Sequence, residues 1–151
     1  MQISEQGLAL IKQFEGFSAT AYLCPAGKAT IGYGHVIGAG EQFPGEEISR
    51  EAAETLLKQD ISYAELAISR LVQINLSQCQ LDALLSFIFN VGSKAFEKST
   101  LLQFLNQNQL EKAANEFLKW VYAGGRKIEG LARRRATERD FFLKDAIFTK
   151  L

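Results

Sequence analysis

The stretch from Leu81 to Val91 carries apolar residues at nearly every angle around a helix. Leu81, Leu84, Leu85, Ile88 and Val91 mark one face, and Phe87 and Phe89 fall on others. A helix that is apolar nearly all round has no side to turn to water, so other elements must surround it. The preceding Ser77-Gln78-Cys79-Gln80 fits a capping box, and Gly92 is a stop signal behind it. The fold is therefore expected to be built around residues 77–91.

The remaining segments must supply the cover. Ser4 can cap a helix that runs to Phe14 or Glu15 and stops at Gly16. Tyr22-Leu23-Cys24, Pro25-Ala26-Gly27-Lys28 and Ala29-Thr30-Ile31-Gly32-Tyr33 read as strand, turn and strand. Seven of the twelve glycines lie between Gly16 and Gly45, which marks this part as turn-rich, with Val36 to Gly45 as a loop or a third short strand. Ser49 opens a long helical pattern through Ala53, Leu56, Leu57, Ala64, Ile68 and Leu71, ending near Val72. Shorter helices are expected over Ser99–Asn106, from Gln109 to about Trp120, and from Gly130 to about Ala146.

The class is α+β, and 151 residues make one domain. A β-rich lobe spans about 16–48 and a connecting helix about 49–72. A helical lobe takes up about 73–151 together with helix 4–15.

Seventeen basic residues balance seventeen acidic ones, but unevenly. Residues 1–75 give 5 − 9 = −4, and residues 76–151 give 12 − 8 = +4. A basic half suits a polyanion. Yet Arg133, Arg134 and Arg135 are adjacent, so on a helix they point three ways. Glu138 lies three and four positions from two of them, which suits local ion pairs. No nucleic-acid partner is expected. The two cysteines, Cys24 and Cys79, make no disulfide framework, and a bond between them is not expected. There is no run long enough for a membrane-spanning helix, and Met1-Gln2-Ile3-Ser4-Glu5 shows no secretory signal. No zinc-ligand spacing or phosphate loop appears, so no metal and no cofactor are expected.

Glu15 is the residue that suggests chemistry. It lies seven positions after Leu8 and four after Ile11, on their apolar face, at the negative end of its helix. Burial and the dipole both disfavour its ionised form, as a general acid requires. The alternative is a helix-end glutamate in solvent or paired with an arginine, one of which can reach it from the helical lobe.

The residues that follow are Gly16-Phe17, Ala21-Tyr22-Leu23-Cys24 and Thr30-Ile31-Gly32-Tyr33-Gly34-His35. Together with Glu15 they closely resemble the phage lysozymes, glycoside hydrolase family 24. The resemblance extends through Asp82-Ala83-Leu84-Leu85-Ser86-Phe87-Ile88-Phe89-Asn90-Val91-Gly92 and through Phe96 with Ser99-Thr100-Leu101-Leu102. It continues in Trp120-Val121-Tyr122-Ala123-Gly124-Gly125 and in Gly130-Leu131-Ala132-Arg133-Arg134-Arg135-Ala136-Thr137-Glu138-Arg139. It covers nearly the whole chain in order.

That resemblance implies a two-lobed lysozyme-like fold with a cleft between the lobes. It also implies hydrolysis of the β-1,4 bond between N-acetylmuramic acid and N-acetylglucosamine in peptidoglycan, for host lysis. Glu15 would be the general acid, and Thr30 would help position water. Inversion is expected, with about 6.5–9.5 Å between the two catalytic groups to admit that water. The family's usual aspartate is replaced by Cys24. The order of readings for Cys24 is water positioning or base action, then attack by sulfur, then an inert thiol. Tyr33, Phe89, Asn90, Ser99 and Thr100 are candidates for sugar binding. Against these, Phe89 could be ordinary core and Ser99 a helix cap.

Asp60 falls within an apolar stripe and needs a partner. The resemblance places it beside His35 across the lobe junction, as a structural pair that would raise the His35 pKa and lower that of Asp60. A monomer is expected, with no stable membrane insertion. It would be held in the bacterial host cytoplasm until a separate pore-forming protein gives it access to the wall. The competing functions are a catalytically silent peptidoglycan-binding protein and a lytic transglycosylase.

Overall fold

A computed structural model describes residues 1–41 and 47–144 of the chain. Helix α1 (Glu5–Glu15) leads into strands β1 (Ser18–Leu23), β2 (Ala29–Gly32) and β3 (His35–Val36). These three form one antiparallel sheet in the order β1-β2-β3. Helix α2 (Arg50–Leu71) follows, then α3 (Gln78–Val91), α4 (Ser93–Glu97), α5 (Thr100–Asn106) and α6 (Leu110–Glu116). A 3-10 turn (Phe117–Lys119), a two-stranded ribbon of β4 (Tyr122–Ala123) and β5 (Arg126–Lys127), and α7 (Glu129–Phe142) complete the described chain. The architecture is α+β, as the sequence leads one to expect.

Helix α3 is the centre. Every residue from Gln80 to Ile88 is buried, and α1, α2, α4 and α7 pack around it. Burying each of its large apolar side chains contributes roughly 1.5–3 kcal/mol, so this helix anchors the fold. Its N-terminus has the expected capping box. Ser77 Oγ accepts from the Gln80 N–H at 3.2 Å, and the Ser77 N–H donates to Gln80 Oε1 at 2.9 Å. In α2 the buried residues Ala53, Leu57, Ile61, Ala64 and Ile68 form one stripe, and Ser49 caps the start by accepting from the Ala52 N–H.

Helix α1 is fastened to α3 at its start. Buried Asp82 accepts from the Ser4 N–H at 3.0 Å, from Gln78 Nε2 at 3.0 Å and from the Ser4 hydroxyl, while Ser4 also caps α1. The approach is close enough that a Cβ on Gly7 would stand 2.5 Å from Asp82 Cγ. This junction sets the line of α1 and therefore where Glu15, at its far end, must lie.

The sequence missed several elements. Strand β1 starts at Ser18, ahead of Tyr22, and Cys24 lies beyond it in the turn. Helix α4 and the β4–β5 ribbon were not expected, because five- and two-residue elements carry too little periodicity to read. The helix expected to reach Trp120 ends at Glu116 and tightens into the 3-10 turn. Cys24 and Cys79 are both half-buried, and no disulfide joins them. The loop after Val36 includes β3, but its part over 42–45 lies outside the described residues. So does the end of the last helix at Ala146; the described helix stops at Phe142.

Candidate active site

Glu15 is the last residue of α1, with its side chain 20% exposed. Arg134 of α7 donates from Nη1 to Glu15 Oε1 at 2.8 Å. The other oxygen, Oε2, lies against Gly34, where an added Cβ would stand only 2.7 Å away. Gly34 also has φ +76°, a conformation that side-chain-bearing residues seldom adopt. The carboxyl group is thus fixed from two sides, by α7 and by the β2–β3 turn.

Arg134 is itself held. Its Nη2 donates to the Ser86 carbonyl at 3.0 Å, and its Nε to Glu138 Oε2 at 3.2 Å. Neighbouring Arg135 donates to Glu138 Oε1 at 2.5 Å, to the Trp120 carbonyl at 2.9 Å and to Asn90 Oδ1. Burial pulls the Arg135 pKa below its ordinary value, and the Glu138 carboxylate opposes that pull. Arg133, the third of the run, is exposed. The three arginines do point different ways, and Glu138 takes up two of them.

Cys24 opens a tight turn after β1. Its N–H donates to the Lys28 carbonyl at 2.9 Å, and the Gly27 N–H donates to the Cys24 carbonyl at 2.7 Å. A hydrogen bond from the Lys28 backbone lowers the thiol pKa, helped by the Ala26 backbone and the Thr30 side chain and opposed by desolvation. Thr30 is 3% exposed and its hydroxyl donates to the Lys28 carbonyl at 2.9 Å. Thr30 also pairs across the sheet with Tyr22. The Tyr22 phenol is pushed up by burial, then by the charges of Glu15 and Cys24. Glu15 and Cys24 therefore both lie within electrostatic reach of one hydroxyl. Tyr22 was not among the expected site residues, because an exposed aromatic on a strand carries no distinguishing signal in a sequence.

His35 ties β3 to α2. Its Nδ1 lies 2.8 Å from Asp60 Oδ2 on α2, the pair the resemblance implied. Its Nε2 lies 2.9 and 3.0 Å from the two oxygens of Glu41, a second partner the sequence did not reveal. Desolvation works against the charged ring, but Asp60 and Glu41 together outweigh it, and the His35 pKa is raised. The Glu41 carboxyl is lowered, first by the Gly38 N–H and then by His35.

Two hollows flank the C-terminal end of α3. One of about 260 Å³ is lined by Gly34, Val36, Asp60, Tyr63 and Phe89 among others. The second, about 540 Å³, is lined by Pro25, Asn90, Trp120, Tyr122, Ile128 and Arg135 among others. Phe89 and Asn90, expected at the cleft floor, thus serve one hollow each. Tyr33 is only 8% exposed and packs on the Phe17 ring at 5.4 Å. Ser99 is 4% exposed and caps α5, with its hydroxyl donating to the Phe96 carbonyl at 2.7 Å and accepting from the Leu102 N–H at 3.1 Å. Those two bonds meet the helix-cap alternative and use the hydroxyl's only donor. Thr100 is exposed but lines neither hollow. Among the described residues, no group of three or more His, Cys, Asp and Glu could hold a metal ion.

The Phage lysozyme family model matches residues 12–138. The chain belongs to the phage lysozyme family. It is 46% identical over 145 residues to an endolysin of Bacillus phage B103, covering 95% of this chain but 54% of that protein. It therefore spans about half the length of that relative. An endolysin of Salmonella phage P22 is 42% identical, with 95% of this chain and 99% of that protein covered. The crystal structure of a P22 lysozyme mutant superposes with a TM-score of 0.83 at 41% identity, covering 95% of this chain and 99% of that one.

Proposed function

We propose that this chain is a muramidase-type endolysin that hydrolyses the β-1,4 bond between N-acetylmuramic acid and N-acetylglucosamine in peptidoglycan. The observation that best supports the reading is Glu15 at the end of α1, its carboxyl group held by Arg134 and walled by Gly34, together with a Thr30 side chain in hydrogen-bond reach of Cys24. Glu15 is the general acid. It gives its proton to the glycosidic oxygen as the bond to the anomeric carbon breaks, and charge develops on the sugar ring. Cys24 and Thr30 hold a water on the opposite face. That water attacks the anomeric carbon and loses its proton to the Cys24 sulfur. A thiol whose pKa is lowered is better suited to that base role than an ordinary one. Attack by water rather than by sulfur gives inversion.

Phe89 and Asn90 bind the glycan at the two hollows, a ring for a sugar face and an amide for an N-acetyl group. The protein works as a monomer and is held in the host cytoplasm until lysis. A separate pore-forming protein then admits it to the wall. No helix among the described residues is long and apolar enough to cross a membrane.

The deciding experiment is digestion of purified peptidoglycan by the wild type and by Glu15→Gln, with mass analysis of the muropeptides. Reducing, hydrated N-acetylmuramic ends that disappear in the variant are expected. Anhydro-muramic ends would make the chain a lytic transglycosylase instead. Binding without cleavage by the wild type would make it a silent wall-binding protein.

A further inference from the structure

Two polar side chains, Ser86 and one turn later Asn90, bond from the apolar helix α3 to α7. Between them lies Glu138 of α7, whose side chain is 0% exposed. Its Oε2 accepts from the Ser86 hydroxyl at 2.6 Å and from Arg134 Nε at 3.2 Å, while its Oε1 accepts from Arg135 Nη1 at 2.5 Å. Arg134 continues to Glu15 Oε1 at 2.8 Å, and Arg135 continues to Asn90 Oδ1. One buried carboxylate thus holds two guanidinium groups, one ending on the candidate acid and the other on an amide of the larger hollow.

Such a cluster is a poor device for stability alone, because burying its charges costs more than apolar side chains of similar size would. It does fix geometry. A guanidinium only donates, so the Asn90 atom that meets Arg135 is the carbonyl oxygen, and the Asn90 Nδ2 donor is left for the hollow. It also fixes the field at Glu15. Arg134 of α7 bonds to Glu15, the Tyr22 phenol of β1 lies within reach of the Glu15 charge, and Lys12 on the same helix as Glu15 is engaged by Glu54. Glu138 partly offsets the positive charge that Arg134 presents.

We propose that Glu138 is the positioning residue of the cleft, setting the place and electrostatic surroundings of Glu15 through Arg134 and the facing of the Asn90 amide through Arg135. It touches no substrate. The inference rests on the muramidase reading for its kinetic consequences, but its electrostatic consequence can be read without turnover.

The test is Glu138→Gln, studied by a pH titration of the Glu15 carboxyl carbon in NMR and by the pH profile of peptidoglycan cleavage. Without the Glu138 charge, the field of Arg134 favours ionised Glu15. The Glu15 titration and the alkaline limb of the activity then both move to lower pH. The kcat falls about tenfold, a part of what a well-placed general acid contributes. KM rises as Asn90 is released. Glu138→Asp keeps the charge but cannot span both arginines. It should hold the alkaline limb in place while losing kcat several-fold, and it is the deciding variant should Glu138→Gln not fold. An active wild type whose Glu138 variant folds with an unmoved Glu15 titration and unchanged kcat and KM overturns the proposal alone; the same kinetics in Glu138→Asp do so where Glu138→Gln does not fold. An inactive wild type whose Glu15 titration still moves supports the proposal and overturns the muramidase reading.

Discussion

Gly34 lies against Glu15 so closely that a Cβ at Gly34 would stand 2.7 Å from Oε2. The turn between β2 and β3 therefore acts as the wall against which Arg134 holds the carboxyl group. Gly34→Ala meets two obstacles, the carboxylate itself and a backbone at φ +76°. Strain of that kind costs about 1–3 kcal/mol. The variant should unfold at lower temperature and, while folded, lose kcat far more than it changes KM, because the displaced group is the acid. Thermal unfolding and steady-state kinetics check this. A stable variant with unchanged kcat would mean that the Glu15 carboxyl group turns away from Gly34 during catalysis.

Cys24 stands where the family resemblance implies an aspartate, and the backbone around it lowers its pKa. Cys24→Asp should keep or raise lytic activity, since a carboxylate can hold and deprotonate water at lower pH than a thiol. Cys24→Ala should lower it. Because the thiol must ionise to act as base, the acidic limb of the pH profile belongs to Cys24 and should move to lower pH in Cys24→Asp. Equal activity of the alanine variant across that profile would take the sulfur out of the mechanism.

The main lines of the fold were legible because they rest on long periodic segments. The all-round apolar pattern of 77–91 becomes the central helix, and the stripe from Ala53 to Ile68 becomes the inner face of α2. The Glu15, Cys24 and Thr30 triplet is what the family resemblance implies, and its role in catalysis is a proposal. What stayed hidden depends on contacts distant in sequence or on irregular chain. Arg135 meets Asn90 across 45 positions, and Glu41, though only six residues from His35, reaches it through an irregular loop with no periodicity to read. A hint did exist for the first. Ser86 and Asn90 lie one turn apart in the part of α3 after Asp82, which is otherwise apolar, and polar groups in such a place demand partners. Ser99 shows the converse, a hydroxyl that looks available in the sequence and is used as a cap.

Gly7 allows α1 to approach α3, since a Cβ there would stand 2.5 Å from Asp82 Cγ and 2.7 Å from its Oδ1. Alanine normally stabilises a helix relative to glycine. Here Gly7→Ala should do the reverse. It forces Asp82 away from the Ser4 cap, at a cost of about 1–3 kcal/mol, as for overpacked cores. Chemical denaturation of the single variants and of Gly7→Ala with Asp82→Ala should show strong non-additivity, because the second change removes the clash. Additive effects would mean that the two residues do not share a contact.

His35 is bracketed by Asp60 and Glu41, and its pKa is raised while that of Glu41 is lowered. The sign of each follows by linkage. The histidine's contribution to stability is fully present below its unfolded value of about 6.5 and is lost as pH rises through the higher folded value. The contribution of Glu41 is present above its unfolded value of about 4.3 and is lost as pH falls through the lower folded one. The bracket should therefore stabilise the junction of β3 with α2 most between about pH 4.3 and 6.5. His35→Asn should cost most stability inside that window and progressively less on either side of it. Denaturation of wild type and variant across pH 3–9 measures the difference. A cost that stays constant with pH would make His35 a packing residue. A ring titration by NMR at or below the ordinary histidine value would show that neither carboxylate holds it.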